Sequence, residues 1–243
     1  MNLIMDTHIH TIASGHAYST VQETAAAAHA AGLELICITE HGPDFPGACH
    51  SFYFRNLVAI PSTLNGVRVI TGMETNILNF DGLVDLAPNL GVKLGFVIAS
   101  LHGVCIKTGN REENTRAMIG AIKNPVVDAI GHPGEPMFPI DHNAVAAAAK
   151  EYGKLLEINN RYSVYSEHPD NQYVKLARAC KESGVMMMCG TDSHFSLDVG
   201  QFPNARDMIK QVGLPEELII NTSVEKMDNF LKEKAKRIEN AFR

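Results

Sequence analysis

No apolar run in this sequence approaches the roughly 18 residues that a membrane-crossing helix needs, so no membrane partner is expected. The first residues, Met1-Asn2-Leu3-Ile4-Met5-Asp6, lack the basic start and apolar stretch of a signal peptide. The five cysteines (Cys37, Cys49, Cys105, Cys180 and Cys189) are odd in number and form no CxxC pair. They read as reduced thiols, and the expected location is cytoplasmic. No Ser/Gly linker, charge block, low-complexity tract or fixed-period repeat marks a boundary, so residues 1–243 are expected to form one domain. Positive charge is in deficit: 21 Lys and Arg against 27 Asp and Glu leave a net charge of -6. That balance disfavours nucleic acid as a partner. The 45% hydrophobic and 20% charged composition excludes a mostly disordered chain.

Histidine is the residue in excess, with 11 in the chain. Its positions become informative once the elements are placed. Short apolar runs predict strands at Leu3–Met5, Leu35–Thr39, Val67–Gly72, Leu94–Ser100, Val126–Gly131, Leu155–Asn159 and Val185–Gly190, with a weak eighth at Leu218–Asn221. Most do not alternate, as befits strands covered on both faces. Helices are expected after the capping box Thr20-Val21-Gln22-Glu23, with a stop at Gly32, then at 110–123, 142–152, 169–183, 204–212 and 223–242. Strand and helix in alternation predict a parallel α/β fold. No GxGxxG follows the first strand, which weakens an open dinucleotide-binding sheet and favours a closed barrel.

The polar residues that follow the strands support closure. Asp6, His8, His10 and His16 follow the first, and Glu40 and His41 the second. Glu74 ends the third, His102 the fourth and His132 the fifth; Asn159-Asn160 end the sixth, and Asp192 and His194 follow the seventh. In a parallel barrel all these ends meet on one face, where active sites of that architecture lie. Side chains two apart on extended chain point the same way, so His8 and His10 could grip one ion. Asp192 and His194 could do the same or serve two adjacent ions. Imidazole and carboxylate without thiolate suit catalytic Zn, Mn or Fe. Nine ligands exceed the needs of one ion; two or three ions are the natural count, with Glu74 placed to bridge a pair.

Other conspicuous residues take plainer roles. His29 lies within the alanine-rich first helix; His50, His142 and His168 sit in loops or at helix starts. Met186–Met188 reads as core. Lys232, Lys234, Lys236 and Arg237 read as the solvated face of the last helix. Asp6 and Glu40 are candidates to hydrogen-bond a ligand imidazole. Asn159 and Asn160 are candidates to contact substrate or close a turn. Arg55, Lys107 and Arg161 are the loop cations from which a phosphate ligand would come.

The segments Asp6-Thr-His8-Ile-His10, Thr39-Glu40-His41-Gly42, Gly72-Met73-Glu74, Ser100-Leu101-His102, Gly131-His132-Pro133 and Gly190-Thr191-Asp192-Ser193-His194 resemble the motifs of the PHP (polymerase and histidinol phosphatase) family. They occur in order between residue 3 and about residue 200, and the likeness is nearest to the stand-alone YcdX-type phosphatase branch. The resemblance implies a distorted seven-stranded (β/α)7 TIM-like barrel, which puts the eighth strand in doubt. It also implies a trinuclear centre, usually zinc. His8, His10, Glu74 and Asp192 would hold one ion, Glu74, His102 and His132 a second, and His16, His41 and His194 a third.

The implied chemistry is hydrolysis of small phosphomonoesters by attack of a metal-bound hydroxide, with Glu74, Asp192 and His194 acting through the metal. Clustered divalent ions neutralise a phosphate dianion and lower the pKa of water. Within the family, histidinol-phosphate phosphatase is the runner-up, although its insertions find little room in 243 residues. A nuclease is disfavoured by the acidic charge. A barrel amidohydrolase is disfavoured because no lysine stands at a strand end. A metal-loaded regulatory module is disfavoured because no ligand position is lost. Homo-oligomerisation is left open.

Overall fold

The computed structural model describes residues 1–161 and 171–243. Among these residues eight strands follow the chain: β1 (Met5–Ile9), β2 (Leu35–His41), β3 (Thr63–Leu64), β4 (Val67–Asn76), β5 (Phe96–Ser100), β6 (Ala129–Ile130), β7 (Leu155–Asn159) and β8 (Met187–Gly190). All but β3 are parallel and neighbour each other in chain order; β3 is a short antiparallel addition to β4. The Asp192 amide donates to the His8 carbonyl and the His10 amide to the Ser193 carbonyl, both at 2.9 Å. These bonds join the chain beyond β8 to β1, so the seven parallel strands form a nearly closed TIM-like barrel, as expected.

The expected eighth strand is not one. Residues 216–218 and 220–222 form 3-10 turns, and Ile219 makes a single bridge to Met187. Asn221 occupies the seam instead. Its side chain accepts from the Cys189 amide at 2.7 Å and donates to the Met5 and Cys189 carbonyls at 2.9 and 2.8 Å. One amide side chain thus supplies hydrogen bonds that a further strand would have made.

Several strands outrun their apolar signal. β1 starts where the run Leu3–Met5 ends, and β2 and β4 continue through Glu40-His41 and Glu74-Thr75-Asn76. The Val126–Gly131 run shrinks to two strand residues. Apolar runs mark the buried lower part of such a barrel and miss its polar rim.

Around the barrel lie α1 (Val21–Ala30), α2 (Ser51–Arg55), α3 (Pro88–Gly91), α4 (Arg111–Lys123), α5 (His142–Glu151), α6 (Gln172–Ser183), α7 (Pro203–Val212) and α8 (Val224–Ala241). The capping box at Thr20 and Glu23 is present, and Asn110 and Glu113 make a second. The one-turn helices α2 and α3 carry no periodic signal and were not expected. The expected helix start at Pro169, and His168, lie outside the described residues. No helix among the described residues is long and apolar enough to cross a membrane.

The barrel interior has two layers. Met5, Leu35, Cys37, Ile70, Phe96, Ile98, Leu155 and Met188 fill the lower layer. Met227 and Phe230 of α8 close it from below, with the Phe96 and Phe230 rings 6.3 Å apart. Each fully buried side chain of this size contributes about 1.5–3 kcal/mol. Two or four residues further along each strand, the inward positions turn polar: His41 on β2, Glu74 on β4, Ser100 on β5, Glu157 and Asn159 on β7. On β1, strict alternation from Met5 would turn Thr7 and Ile9 inward. The register between β1 and β2 slips between Asp6 and Ile9, where three steps oppose two. This bulge reverses the parity, so His8 and His10 face the barrel and Ile9 packs outside it.

The last helix departs from its expected solvated face. Lys234 is only 5% exposed. Its ammonium meets Asp128 at 2.6 Å and donates to the Leu94 carbonyl at 2.9 Å, while Arg237 reaches the other Asp128 oxygen at 2.8 Å. α8 lies under the barrel, so one of its charged positions is enclosed by strand ends.

Candidate metal centre

Glu74 is the hub of the upper layer. Its Oε1 lies 3.1 Å from His132 Nε2, 3.3 Å from His102 Nε2 and 3.4 Å from His8 Nε2. Its Oε2 lies 2.7 Å from His41 Nδ1 and 3.4 Å from His10 Nε2. Parallel register explains part of this, because His41 and Glu74 are direct partners across β2 and β4. Asp192 adds its Oδ1 at 3.3 Å from His10 Nε2. At the outer edge His194 Nε2 stands 2.9 Å from His16 Nε2. All nine residues expected as ligands therefore share one end of the barrel. Close groupings with the donor separations of an ion site are His8, His10 and Glu74; His41, Glu74 and His102; and His10, His41 and His194.

The imidazoles are oriented by what their outer nitrogens touch. His8 Nδ1 meets the Glu157 carboxylate at 2.8 Å, His102 Nδ1 the Asn76 side-chain oxygen at 2.7 Å, and His16 Nδ1 the Ser14 carbonyl at 3.1 Å. His10 Nδ1 meets Ser14 Oγ at 3.1 Å, and that hydroxyl in turn donates to Glu40. Each of these partners accepts, so each Nδ1 carries the hydrogen and each Nε2 turns a lone pair inward. Nitrogen then faces nitrogen at 3.1 Å between His8 and His10. The His41 Nδ1 and Glu74 Oε2 atoms are buried and make no hydrogen bond, although they lie 2.7 Å apart. Lone pairs crowded in this way repel unless a cation lies among them. The donor set of imidazoles and carboxylates fits such a cation.

The charge balance agrees. Burial opposes a charge on His8, yet Glu157, Glu74 and Asp192 hold its pKa well above the imidazole range. Burial likewise opposes ionisation of Glu74, but His8, His102 and His41 hold it well below the carboxylate range. His10 shifts the other way, because burial and then the neighbouring His41 disfavour its charge. Burial is outweighed at His132 by Glu135 and Glu74, which bring it up to about 10. A field that would hold extra protons on these rings would also hold metal cations.

Two site residues adopt left-handed backbone, His132 at φ 30° and Asp192 at φ 52°. Non-glycine residues take up such strain mainly at functional sites. At Gly190 a Cβ would lie 2.2 Å from Glu157 Oε1 and 2.4 Å from His8 Cβ, so the cluster fills the space a side chain would need.

The supporting residues sort differently from expectation. Asp6 does not touch an imidazole. It accepts from the Thr191 hydroxyl at 2.5 Å and from the Thr191 and Gly200 amides at 3.0 Å, pinning the chain around Asp192, and burial raises it to about 6. Alternation from Met5 points Asp6 out of the barrel, and the bulge that follows turns His8 inward. Glu40 acts on His10 only through Ser14, and burial raises its pKa. Asn159 lies inside the barrel, donating to Glu157 at 3.1 Å and Asp192 at 3.2 Å. Asn160 anchors α7, accepting from the Ala205 amide at 3.1 Å.

Arg55 ends α2 and lines a separate groove of about 610 Å³ with Val58, Lys93 and Leu94. α2 puts Phe54 into the core, so the next residue faces the flank. Lys107 is exposed and makes no described bond to the cluster. Arg161 is the cation at the site: its guanidinium lies 3.1 Å from His194 Nδ1. A cleft of about 470 Å³ joins Arg161, Asp192 and His194 to Tyr18 and Phe195. Glu157 and Ser14 were missed. Neither has a local signal, since Glu157 is an isolated acid in an apolar strand and Ser14 ends a three-residue 3-10 turn.

Known proteins resemble this chain over nearly its whole length. It is 50% identical over 240 residues to a probable phosphatase of Thermoanaerobacter sp. (strain X514), covering 98% of each chain. It is 48% identical over 238 residues to a probable phosphatase of Acetivibrio thermocellus, covering 98% of this chain and 99% of that one. In fold it resembles a histidinol phosphate phosphatase of Lactococcus lactis solved with zinc, L-histidinol and phosphate. The TM-score is 0.63 at 24% identity, over 88% of this chain and 95% of the other. The PHP domain model matches residues 6–168. With most of the chain inside that match and half of its residues shared with such relatives, the protein belongs to the PHP domain family.

Proposed function

We propose that the protein is a metal-dependent phosphatase that hydrolyses small phosphomonoesters at a trinuclear centre. The observation that carries this reading is the set of inward imidazole lone pairs converging on Glu74 and Asp192. His8, His10, Glu74 and Asp192 would hold one ion, Glu74, His102 and His132 a second, and His16, His41 and His194 a third. Zinc fits this donor set, and manganese or iron could replace it. Bound divalent ions would neutralise the phosphate dianion and make water acidic enough to attack near neutral pH.

The protein's own groups prepare the site. Asp192 and Glu74 keep the imidazoles together before substrate arrives, so little reorganisation remains for the reaction. Arg161 borders the cleft and has the planar fork that binds phosphate oxygens in pairs. Tyr18 and Phe195 flank the same cleft and would meet the organic part of the substrate. The names of the relatives and the zinc-bound phosphatase of similar fold support the same chemistry.

The test is elemental mass spectrometry of protein purified without chelator, followed by a phosphomonoester panel that includes L-histidinol phosphate. About three ions per chain, and turnover abolished by chelator and restored by zinc or manganese, are expected. One ion or none after metal is added, with no turnover, would refute the proposal.

A further inference from the structure

Among the described residues, Glu157 is the one carboxylate within the barrel that points at no inward imidazole lone pair. It lies on β7 two residues above the core Leu155 and is fully buried. Its Oε1 accepts from His8 Nδ1 at 2.8 Å, and its Oε2 accepts from the His132 backbone amide at 2.7 Å. The Asn159 amide donates to Glu157 Oε2 at 3.1 Å and to Asp192 Oδ2 at 3.2 Å. One carboxylate therefore touches groups on β1 and just beyond β6 and, through Asn159, reaches Asp192 just beyond β8. The His132 contact falls where the backbone is left-handed, a conformation that persists only when neighbouring bonds hold it. Gly190 leaves the space that Glu157 and His8 share.

We infer that Glu157 is a positioning residue that locks His8, His132 and Asp192 into one metal-binding unit without itself binding metal. The inference rests on the metal-centre reading proposed above. A carboxylate suits this place because it accepts from two directions at once. A glutamine accepts through one oxygen only, and its amide nitrogen would face either the His8 or the His132 N–H, donor against donor. An apolar residue would leave both N–H groups unsatisfied in the interior. Without Glu157 the His8 ring loses its fixed tautomer and the His132 backbone loses its tether. Groups that orient metal ligands in this way change metal affinity by about 10–100-fold when removed.

The test compares the full-length wild type with E157Q and E157A. Zinc affinity is measured by competition with a chromophoric chelator, and the melting temperature of metal-stripped protein by circular dichroism. Zinc binding about tenfold weaker in E157Q and nearer a hundredfold weaker in E157A, per folded chain, is the expected result. A purely structural role would lower the melting temperature of the stripped protein and leave zinc affinity within about threefold of wild type, and that outcome overturns the inference. If E157A does not fold, E157Q decides. A wild type that takes up no zinc sinks the metal-centre reading and this inference together. A zinc-loaded wild type with unchanged variants sinks this inference alone.

Discussion

Changing Glu74→Gln should strip the centre of its metal while leaving the barrel folded. Glutamine has nearly the same shape, and its carbonyl oxygen can still accept from Ser100 Oγ, which donates to Glu74 at 2.6 Å. The charge is what disappears. Glu74 lies 2.7–3.4 Å from five imidazoles, so a cation held among them would face its carboxylate at a similar range, and one unit charge pair at about 3.3 Å is worth about 5 kcal/mol gross at an effective dielectric of about 20. Part of that is offset, because the variant no longer desolvates a carboxylate. Deleting one partner of a buried charge pair leaves a net loss of about 3–5 kcal/mol. At about 1.4 kcal/mol per tenfold, zinc affinity should fall by roughly a hundredfold to a few thousandfold. The assay is chelator competition with turnover of a phosphomonoester, and circular dichroism verifies the fold. A Glu74→Gln protein that binds zinc within about tenfold of wild type and keeps its turnover would refute the reasoning.

Arg161→Ala should raise KM for a phosphomonoester about tenfold or more with a smaller change in kcat, and an unchanged KM would remove Arg161 as the phosphate ligand. Asp128→Ala leaves the buried Lys234 without its carboxylate and should cost about 3–5 kcal/mol, or roughly 6–20 °C of melting temperature. Lys234→Met should be milder in the same thermal scan. Lys154, at the barrel base, is held near pKa 7 by burial and by Arg237. Between about pH 7 and 10 the unfolded chain binds a proton at this position that the folded chain does not, so stability should rise with pH across that window. Urea titrations of Lys154→Met should show a flatter slope, by up to about 1.4 kcal/mol per pH unit; an unaltered slope would contradict that shift.

The ladder of seven parallel strands was legible because apolar runs of three to seven residues, separated by capped amphipathic segments, can be read locally. Thr20 with Glu23 and Asn110 before α4 are local signals of that kind. The nine clustered residues were legible because each stands at or just past a strand end, and a barrel brings such ends together. The supporting shell was not. Glu157 is 149 residues from His8 in sequence, and nothing local to either records their contact. Asp6 does not meet the His8 or His10 ring as expected, because regular extended chain would set all three on one face, whereas the bulge between Asp6 and Ile9 puts Asp6 on the opposite one.

By itself the sequence determined which segments become strands, which residues cap the helices, and which imidazoles and carboxylates arrive at the same end of the barrel. These depend on short-range propensities and on the two-residue period of extended chain. Only the tertiary structure decided which face of β1 turns inward, because the bulge between Asp6 and Ile9 exists only in the pairing with β2. The same holds for the closure of β8 onto β1 through Asn221, for the enclosure of Lys234 beneath the barrel, and for the carboxylate behind His8. Each is a contact between residues far apart in the chain, and its energy appears only when the barrel has closed around it.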